Sequence, residues 1–210
     1  MCFSAKASFL TSGMLAVMGI VTLEKIKEKK QILFASIPLI FSAQQFIEGI
    51  LWLSLTGKAN PELIKLCAWG FLSIAFLLWP IWIPISLIFL EKKLNRKKIL
   101  FSTLFMGIFV AIHNAYLMLQ YGVSAQLTEN HILYNVFYPS PRFLYTALYV
   151  FATVLPFFIS SVPLMWFFGL VGFISLIITM FFYLNYLISV WCFFAAFLSV
   201  LIYLIIVKRK

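Results

Sequence analysis

The sequence contains no aspartate, and its acidic residues are six glutamates in a chain of 210 residues. Charged residues of both signs make up only 10%, whereas hydrophobic residues make up 64% and the mean hydropathy is +1.05. A water-soluble core cannot hide that much apolar surface, so lipid must be the solvent of this chain. Each crossing of a bilayer needs about 20 apolar residues, so spans and short connections account for almost the whole length. A single transmembrane domain over residues 1–210 is therefore predicted.

Seven apolar segments predict an all-α, polytopic bundle of seven transmembrane helices. The predicted spans are residues 7–23, 32–56, 66–90, 99–121, 143–160, 163–183 and 186–207. Pro80 and Pro84 interrupt the third segment, which is expected to remain one kinked helix because each half would be too short to span. The first segment lacks a basic leader and a small-residue cleavage site, so it is interpreted as a retained span rather than a signal peptide.

Lysine and arginine are concentrated on one side of these seven spans. That side carries Lys25, Lys27, Lys29, Lys30, Lys92, Lys93, Arg96, Lys97, Lys98, Lys208, Arg209 and Lys210, and the other carries Lys6, Lys58, Lys65 and Arg142. The positive-inside rule then predicts a cytoplasmic C-terminus and an outside N-terminus in a multi-pass cell membrane protein, the bacterial inner membrane being expected. The net charge of +10 thus serves orientation and contact with lipid headgroups, and nucleic-acid binding is not expected.

Glu48 is the glutamate that lies inside a predicted span, and polar side chains surround it along the helix. Gln44 and Gln45 precede it by one turn, and Trp52 follows it by one turn. A carboxyl group in lipid is unfavourable by several kcal/mol unless it is protonated or paired, so Glu48 should face the bundle interior or a hydrated cavity. The stripe indicates either a functional site or a structural hydrogen-bond network between helices.

His113, followed by Asn114 and Tyr116, is the second unusual group of polar residues in a span. At 1.5 Å per residue, His113 and Glu48 each lie roughly 12 Å below the outer end of their helices. A buried histidine and a buried carboxyl group at one depth have an electrostatic reason to pair, directly or through water. The alternative is a histidine that only makes ordinary hydrogen bonds.

The outer connection over residues 122–142 is the longest, and it contains Glu129, Asn130, His131, Tyr134, Tyr138 and Arg142. Its length predicts a lid or binding element, or else a solvated turn. The cysteines Cys2, Cys67 and Cys192 also lie toward the outer side. A Cys2–Cys67 disulfide is compatible with an oxidising compartment, although three cysteines leave at least one thiol free. Removal of Met1 would give Cys2 a free amine beside its thiol.

Three stretches carry a resemblance to a known family: MCFSAKASF at 1–9, AQQFIEGILW at 43–52 and SVWCFFAAFLS at 189–199. With them the chain resembles an uncharacterised bacterial family of small polytopic membrane proteins that begin with a Met-Cys-Phe-Ser-Ala signature. The resemblance implies that a set of residues belongs to a shared pattern: Cys2, Phe3, Ser4, Gln44, Gln45, Glu48, Trp191 and Cys192. It implies no activity.

Three functions remain open on the sequence. The first is a ligand- or metal-binding enzyme embedded in the membrane and opening outward, with Glu48, His113 and Cys2 as its catalytic residues. Its binding residues would be Gln44, Gln45, Trp52, Asn114, Tyr116, His131, Trp191 and Cys192. Zinc or copper would accept such side chains, but no HExxH or CxxC spacing is present, so neither a metal nor another cofactor is specified.

The second function is a carrier or sensor of a small or lipophilic ligand that uses the same polar residues. The aromatic content of 19% suits an apolar pocket, although aromatic side chains also face lipid. The third function is structural, with no ligand. A retinal protein is excluded because its Schiff base needs a lysine within a span, and every lysine here lies at a loop or a terminus.

Overall fold

The computed structural model of the chain describes residues 4–57, 60–128, 131–137 and 142–208. Cys2, Phe3, Lys58, Glu129, Asn130, Tyr138, Arg209 and Lys210 lie outside the described residues, as does the side chain of Arg142. The α-helices are α1 (Ala5–Glu24), α2 (Ile32–Ala35), α3 (Ile37–Thr56), α4 (Pro61–Ser73), α5 (Trp79–Leu90), α6 (Leu94–Tyr121), α7 (Arg142–Thr153), α8 (Leu155–Ile159), α9 (Met165–Phe182), α10 (Leu187–Phe197) and α11 (Ser199–Lys208). The remaining elements are 3₁₀ turns at Lys29–Gln31 and Leu184–Tyr186, a π-helical segment at Ile74–Leu78, and strands β1 (Val123–Thr128) and β2 (His131–Val136).

Six helical stretches in the described residues are long and apolar enough to cross a membrane, as in a multi-pass membrane protein. They are Ala5–Glu24, Lys29–Thr56, Pro61–Leu90, Leu94–Tyr121, Met165–Phe182 and Leu184–Lys208. The predicted fifth span is instead divided at Val154 into α7 and α8, because Pro156 at the start of α8 cannot continue the hydrogen bonding of α7. It therefore contributes only a shorter apolar helix, Phe143–Thr153.

Helices α1 and α3 pack closely through small side chains. Ser12 donates its hydroxyl to the Ser42 carbonyl oxygen at 2.9 Å, and Ser42 donates to the Ser12 carbonyl oxygen at 2.8 Å. A Cβ added at Gly49 would lie 2.8 Å from the Phe9 ring, so a larger residue there would require the Phe9 side chain to move. Small residues and interhelical hydrogen bonds hold helices together where lipid gives no hydrophobic driving force.

The third predicted span is one continuous helical stretch, as expected, and its irregularity is a π-helical segment just before Pro80. Trp79 donates its backbone N–H to the Ile74 carbonyl, five residues back, and Pro80 has no N–H to donate. The carbonyl groups of Ala75 and Phe76 therefore lose the α-helical partners that Trp79 and Pro80 would supply, and they need partners from other helices.

Gly107 of α6 is the point at which two backbones meet. A Cβ at this position would lie 1.8 Å from the Pro80 carbonyl oxygen, a contact that no side chain can relieve because the obstacle is backbone. In a regular helix the N–H of residue 84 would donate to the Pro80 carbonyl oxygen, but Pro84 has no N–H. The Pro80 carbonyl oxygen is therefore free to face α6. Only glycine fits, and α5 and α6 are locked in register there.

The connection after α6 folds as an antiparallel β-hairpin, which the sequence analysis did not predict. Val123 pairs with Val136 and Ala125 with Tyr134, and the buried side chains of both strands point to the same face. The Tyr134 ring stacks on Phe71 of α4 at 4.7 Å between centroids. The hairpin thus covers one end of the bundle, here called the hairpin end.

Two clusters of buried apolar side chains occupy the two ends of the bundle. The cluster at the hairpin end includes Trp52, Cys67, Phe71 and Cys192, and the cluster at the opposite end includes Leu90, which precedes Glu91. The opposite end is called the Glu91 end. Large apolar side chains on the outer helix faces are exposed, among them Phe105, Leu119 and Phe181, as expected for surfaces that contact lipid.

Candidate functional site

Glu48 is completely buried, and it joins α3 to α10. Ser189 of α10 donates its hydroxyl to Glu48 Oε1 at 2.5 Å. Gln45, one turn earlier on α3, donates Nε2 to Glu48 Oε2 at 3.2 Å. Both carboxyl oxygens thus accept hydrogen bonds from side chains, which is how a polar group becomes tolerable in an apolar interior.

A second contact between the same helices lies one turn from the first. Gln44 donates Nε2 to the Cys192 sulfur at 3.5 Å, and its Oε1 accepts from Trp79 Nε1 at 3.0 Å. Gln44 lies one turn before Glu48 on α3, and its partner Cys192 lies one turn after Ser189 on α10. Because the two helices run antiparallel, the Gln44–Cys192 contact lies one turn from the Glu48–Ser189 contact along the same interface. We call these residues, Gln44, Gln45, Glu48, Ser189 and Cys192, the α3–α10 network.

The α3–α10 network brings together two of the three stretches that carry the family resemblance. Gln44, Gln45 and Glu48 come from AQQFIEGILW, and Ser189 and Cys192 come from SVWCFFAAFLS. The sequence analysis named four of these five residues. It passed over Ser189, because a serine in an apolar helix is common, although its spacing of one turn from Cys192 places both on one helix face.

Buried polar atoms around this network have hydrogen-bonding capacity to spare. Gln45 Oε1 and Trp52 Nε1 are buried without a hydrogen-bond partner in the described residues, and so is Ser8 Oγ on the α3-facing side of α1. Unsatisfied buried donors and acceptors are rare in proteins and commonly bind water or a ligand. The network can therefore accept additional polar atoms.

His113 does not join Glu48. It lies on α6, where its ring stacks on Tyr145 of α7 at 4.9 Å between centroids, with Phe109 on α6 also nearby in a parallel orientation. Its Nε2 is buried and has no hydrogen-bond partner in the described part of the chain. Equal depth did not bring the two side chains together, because Glu48 faces α10 whereas His113 faces α7.

The other residues next to His113 have separate roles. Asn114 donates Nδ2 to the Phe76 carbonyl oxygen at 3.5 Å, and Tyr149 of α7 donates its hydroxyl to the Ala75 carbonyl oxygen at 2.6 Å. These two side chains donate to the two carbonyl groups that the π-helical segment and Pro80 leave without an α-helical partner. Tyr116 is 60% exposed on the helix surface and belongs to no buried site.

Two small cavities lie where α3, α5, α7, α9 and α10 approach one another. The first, of about 60 Å³, is lined mainly by apolar side chains, including Phe41, Trp79, Phe157 and Phe168. The second, of about 70 Å³, is lined by the Ala75–Phe76 turn and by Asn114, Tyr145 and Thr146. Tyr149, Trp191 and Cys192 line both, so the two cavities share a wall.

Cys192 therefore belongs both to the α3–α10 network and to the wall between the cavities. Trp191, beside it, donates Nε1 to the Gly172 carbonyl oxygen at 3.4 Å and packs edge-on against Tyr149. The arrangement places a carboxyl group, an amide and a thiol directly behind an apolar space. Such a pocket, mostly apolar with few polar groups, is typical of small-molecule sites.

His131 lies in β2 at the hairpin end. Its ring stacks on Tyr186 at 4.5 Å and contacts Tyr183 at 5.6 Å, so it links the hairpin to the turn between α9 and α10. Trp52 and Cys67 are buried beneath the hairpin in the same apolar cluster. Cys67 and Cys192 are free thiols in the structure. Cys2, predicted to be catalytic, lies outside the described residues.

No group of three or more His, Cys, Asp or Glu side chains that could hold a metal ion occurs among the described residues. The predicted ligands Glu48, His113 and His131 have the separate contacts given above. The metal-binding form of the enzyme hypothesis receives no support from this geometry.

A second buried carboxyl group, Glu91, lies just beyond the predicted span at residues 66–90 and was not among the predicted site residues. It follows α5, is 5% exposed, and accepts hydrogen bonds from Ser161 N and Ser161 Oγ, both at 2.6 Å. Lys93 N donates at 2.8 Å and Ser160 Oγ at 3.3 Å. Burial alone would raise the pKa of this carboxyl group, but the hydrogen bonds from Ser161 and from the backbone at Lys93 and Lys92 outweigh it and lower the pKa.

Comparisons with known proteins agree with the sequence resemblance at the level of the family. No curated protein and no solved structure matches the chain. One family model matches residues 1–210, and it is described as a family of unknown function, DUF6629. Because this match extends over the full sequence, the chain belongs to the DUF6629 family.

Proposed function

We propose that this protein is a seven-span protein of the bacterial inner membrane, with the N-terminus outside, that carries or senses a small lipophilic ligand. The ligand would occupy the two cavities that meet at Tyr149, Trp191 and Cys192. This shared wall is the observation that carries the proposal, because it places the polar side chains of the α3–α10 network beside an apolar space inside the bundle.

The course of α7 and α8 supports seven crossings. Near the start of the segment Tyr145 stacks on His113, in the half of α6 that leads to the hairpin, and at its other end Arg96 Nη1 donates to the Ile159 carbonyl oxygen at 2.8 Å, at the Glu91 end. Residues 142–159 thus run from one end of the bundle to the other. With seven crossings, most of the cationic residues lie at the Glu91 end, which the positive-inside rule assigns to the cytoplasm.

The partial exposure of the second cavity's lining supports a ligand that arrives through the lipid. Tyr145, Thr146 and Tyr149 on α7 are half-buried, as are Leu187 and Ile188 on α10. The cavity lies between these helices, so an opening there leads toward the bilayer and not toward water. The two cavities, of about 60 and 70 Å³, are each smaller than the roughly 150 Å³ apolar cavity that is known to hold benzene, so a compact apolar molecule would have to join them into one space.

The polar wall adds selectivity to this apolar space. Asn114 and Tyr149 already donate to backbone carbonyl groups, whereas the Cys192 thiol, which accepts from Gln44, lies in the wall of both cavities. A ligand with an apolar body and one polar group would use both features. An enzymatic role would need Glu48, His113 and Cys2 to act together, and no described contact joins Glu48 to His113.

Photolabelling with a small aryl diazirine in lipid nanodiscs tests the proposal. We expect saturable labelling of α7 and α10 at the cavity wall, in peptides that contain Tyr149 or Trp191, above the non-saturable labelling of lipid-facing surfaces. The variant Gly172→Ala adds a methyl group in the wall of the first cavity, where its Cβ would lie 3.4 Å from Leu198, an ordinary contact. Labelling of the cavity wall should fall several-fold in this variant.

Gly70→Ala is the matched control, because the new methyl group would lie 3.5 Å from Ile47, also an ordinary contact, and Gly70 lines neither cavity. Both substitutions replace a helical glycine, so both change helix propensity alike. Labelling that does not saturate, or that is equal in the two variants, would show that the cavities are packing defects and would overturn the proposal.

A further inference from the structure

A third cavity, of about 220 Å³, lies at the Glu91 end, away from the proposed ligand site. Its wall consists of Leu90, Lys92, Ser161, Val162, Pro163, Ile205 and Lys208. These residues come from the end of α5, the turn between α8 and α9, and the end of α11. The cavity therefore lies where three helices end, and its wall combines apolar side chains with two lysines.

Lys92 and Lys208 are far apart in sequence, and the fold places both in this one wall. Neither forms an ion pair within the described residues. Both side chains are exposed, so water weakens their mutual repulsion, but together they give the cavity wall a positive charge. The wall is therefore complementary to a negatively charged group.

Glu91, the nearest carboxyl group in sequence, is engaged elsewhere. Its oxygens accept the four hydrogen bonds from Ser160, Ser161 and Lys93, which fix it to the turn between α8 and α9. Arg96 is also held, by the carbonyl oxygens of Ile159 and Ser160. These bonds hold one wall of the cavity in place, so the site is formed before any ligand binds.

The start of α9 strengthens the positive potential at the cavity. Pro163 lines the wall, and Leu164 turns the chain with φ of 66°, a left-handed conformation that is unfavourable for leucine. Helix α9 then begins at Met165 without a side-chain cap on its first N–H groups. The positive end of an 18-residue helix therefore lies next to the two lysines.

We propose that this cavity binds the phosphodiester group of an anionic phospholipid. Lys92 and Lys208 contact the phosphate, the start of α9 contributes its dipole, and Val162 and Ile205 contact the upper part of an acyl chain. Basic pockets between transmembrane helices at the membrane surface are suited to such headgroups. Inorganic phosphate also carries negative charge, but it has no apolar part that could contact Val162 and Ile205.

Thermal unfolding of the purified protein in a neutral detergent tests the proposal. Phosphatidylglycerol should raise the unfolding midpoint in a saturable manner, whereas phosphatidylcholine and sodium phosphate should have little effect. The double variant Lys92→Ala/Lys208→Ala should bind phosphatidylglycerol roughly thirtyfold more weakly, since each lysine close to an anionic headgroup contributes to binding. The variant Lys92→Arg/Lys208→Arg, which keeps both charges, should retain most of the effect.

Lys97→Ala/Lys98→Ala is the matched control, because it removes the same charge from the start of α6, outside the cavity wall. If this control loses as much affinity as the cavity variant, the lipid responds to overall surface charge, and the site is refuted. If sodium phosphate stabilises the protein as strongly as the lipid does, the site is for free phosphate and the lipid proposal fails. Neither result bears on labelling of the other two cavities.

Discussion

Glu48 and Glu91 are both buried carboxyl groups, yet the protein holds them in opposite ways. Glu91 lies at an end of the bundle and accepts four hydrogen bonds from one turn and its own loop, two of them from backbone N–H groups. Glu48 lies within the bundle, where the side chains of Ser189 and Gln45 donate to it.

The difference lies in what each set of partners can do. Backbone donors cannot rotate away, so Glu91 fastens the turn between α8 and α9 to the end of α5 in one geometry. Ser189 and Gln45, which donate to Glu48, do so through side chains that can change rotamer, and Gln45 Oε1 accepts no hydrogen bond in the described residues. We therefore expect Glu91 to contribute more to stability than Glu48.

Glu91→Ala should give the largest loss of stability. Its removal leaves the Ser161 N–H and two serine hydroxyls buried without their acceptor, which destabilises the protein by about 2–4 kcal/mol. Unfolding followed by intrinsic fluorescence in detergent measures this. Glu62→Ala, at an exposed glutamate in the first turn of α4, is the control and should change stability little. Equal losses in the two variants would contradict the structural role of Glu91.

Acid should remove the contribution of Glu91 in wild-type protein. Its pKa is lowered by folding, so it binds fewer protons in the folded state than in the unfolded state. The stabilisation is fully present above the unfolded pKa of about 4.3 and is lost as pH falls through the lower folded pKa. Unfolding midpoints measured between neutral pH and pH 3 should fall in wild type and fall less in Glu91→Gln. Identical pH profiles would mean that Glu91 does not titrate with folding.

Tyr149→Phe should have an intermediate effect at the cavity wall. The Ala75 carbonyl oxygen loses its hydroxyl donor, and a buried acceptor without a partner destabilises by about 1–2 kcal/mol. Tyr145→Phe, in the same helix, is the control, because the contact of Tyr145 with His113 is ring stacking, which phenylalanine retains. Chemical unfolding of the two variants side by side measures the difference, and equal stabilities would exclude a role for the Tyr149 hydroxyl in the π-helical segment.

Glu48→Gln should have the smallest effect on stability, within about 1 kcal/mol. Glutamine still accepts from Ser189, and its amide can donate to Gln45 Oε1. Infrared difference spectra should show a carboxyl band that changes when the diazirine occupies the cavity of wild-type protein, and this band should be missing from Glu48→Gln. A large stability loss with no such band in wild type would assign Glu48 to helix packing alone, which is the structural hypothesis.

The sequence predicted most of the helices, because hydrophobic length is a local signal, but it did not predict the break at Val154 that divides the fifth segment. It also grouped Gln44, Glu48 and Cys192 as candidate site residues, and the structure brings Gln44 into contact with Cys192. It did not predict the partners of His113, since depth along a helix says nothing about which helices are neighbours or which way each side chain faces. The pairing of His113 with Tyr145 depends on the rotation of α6 and α7.

Two other features were missed for related reasons. Glu91 at the end of a span looks like any surface charge until the turn at Ser160–Ser161 folds against it, 69 residues later in the chain. The hairpin was missed because the alternation of buried and exposed residues in β1 is short, with Val123 and Ala125 as its two buried positions. In each case the decisive contact joins distant parts of the chain.

The contact between Gly107 and the Pro80 carbonyl group also constrains how the bundle can move. Two helices whose backbones touch at one point cannot slide past each other there, but they can turn about that point. The π-helical segment ends two residues before Pro80, and Asn114 and Tyr149 bond the carbonyl groups that it leaves open, so a turn about Gly107 would have to break those side-chain bonds. Gly107 thus fixes the spacing of α5 and α6 at one point, and any widening of the second cavity would be a rotation about that point.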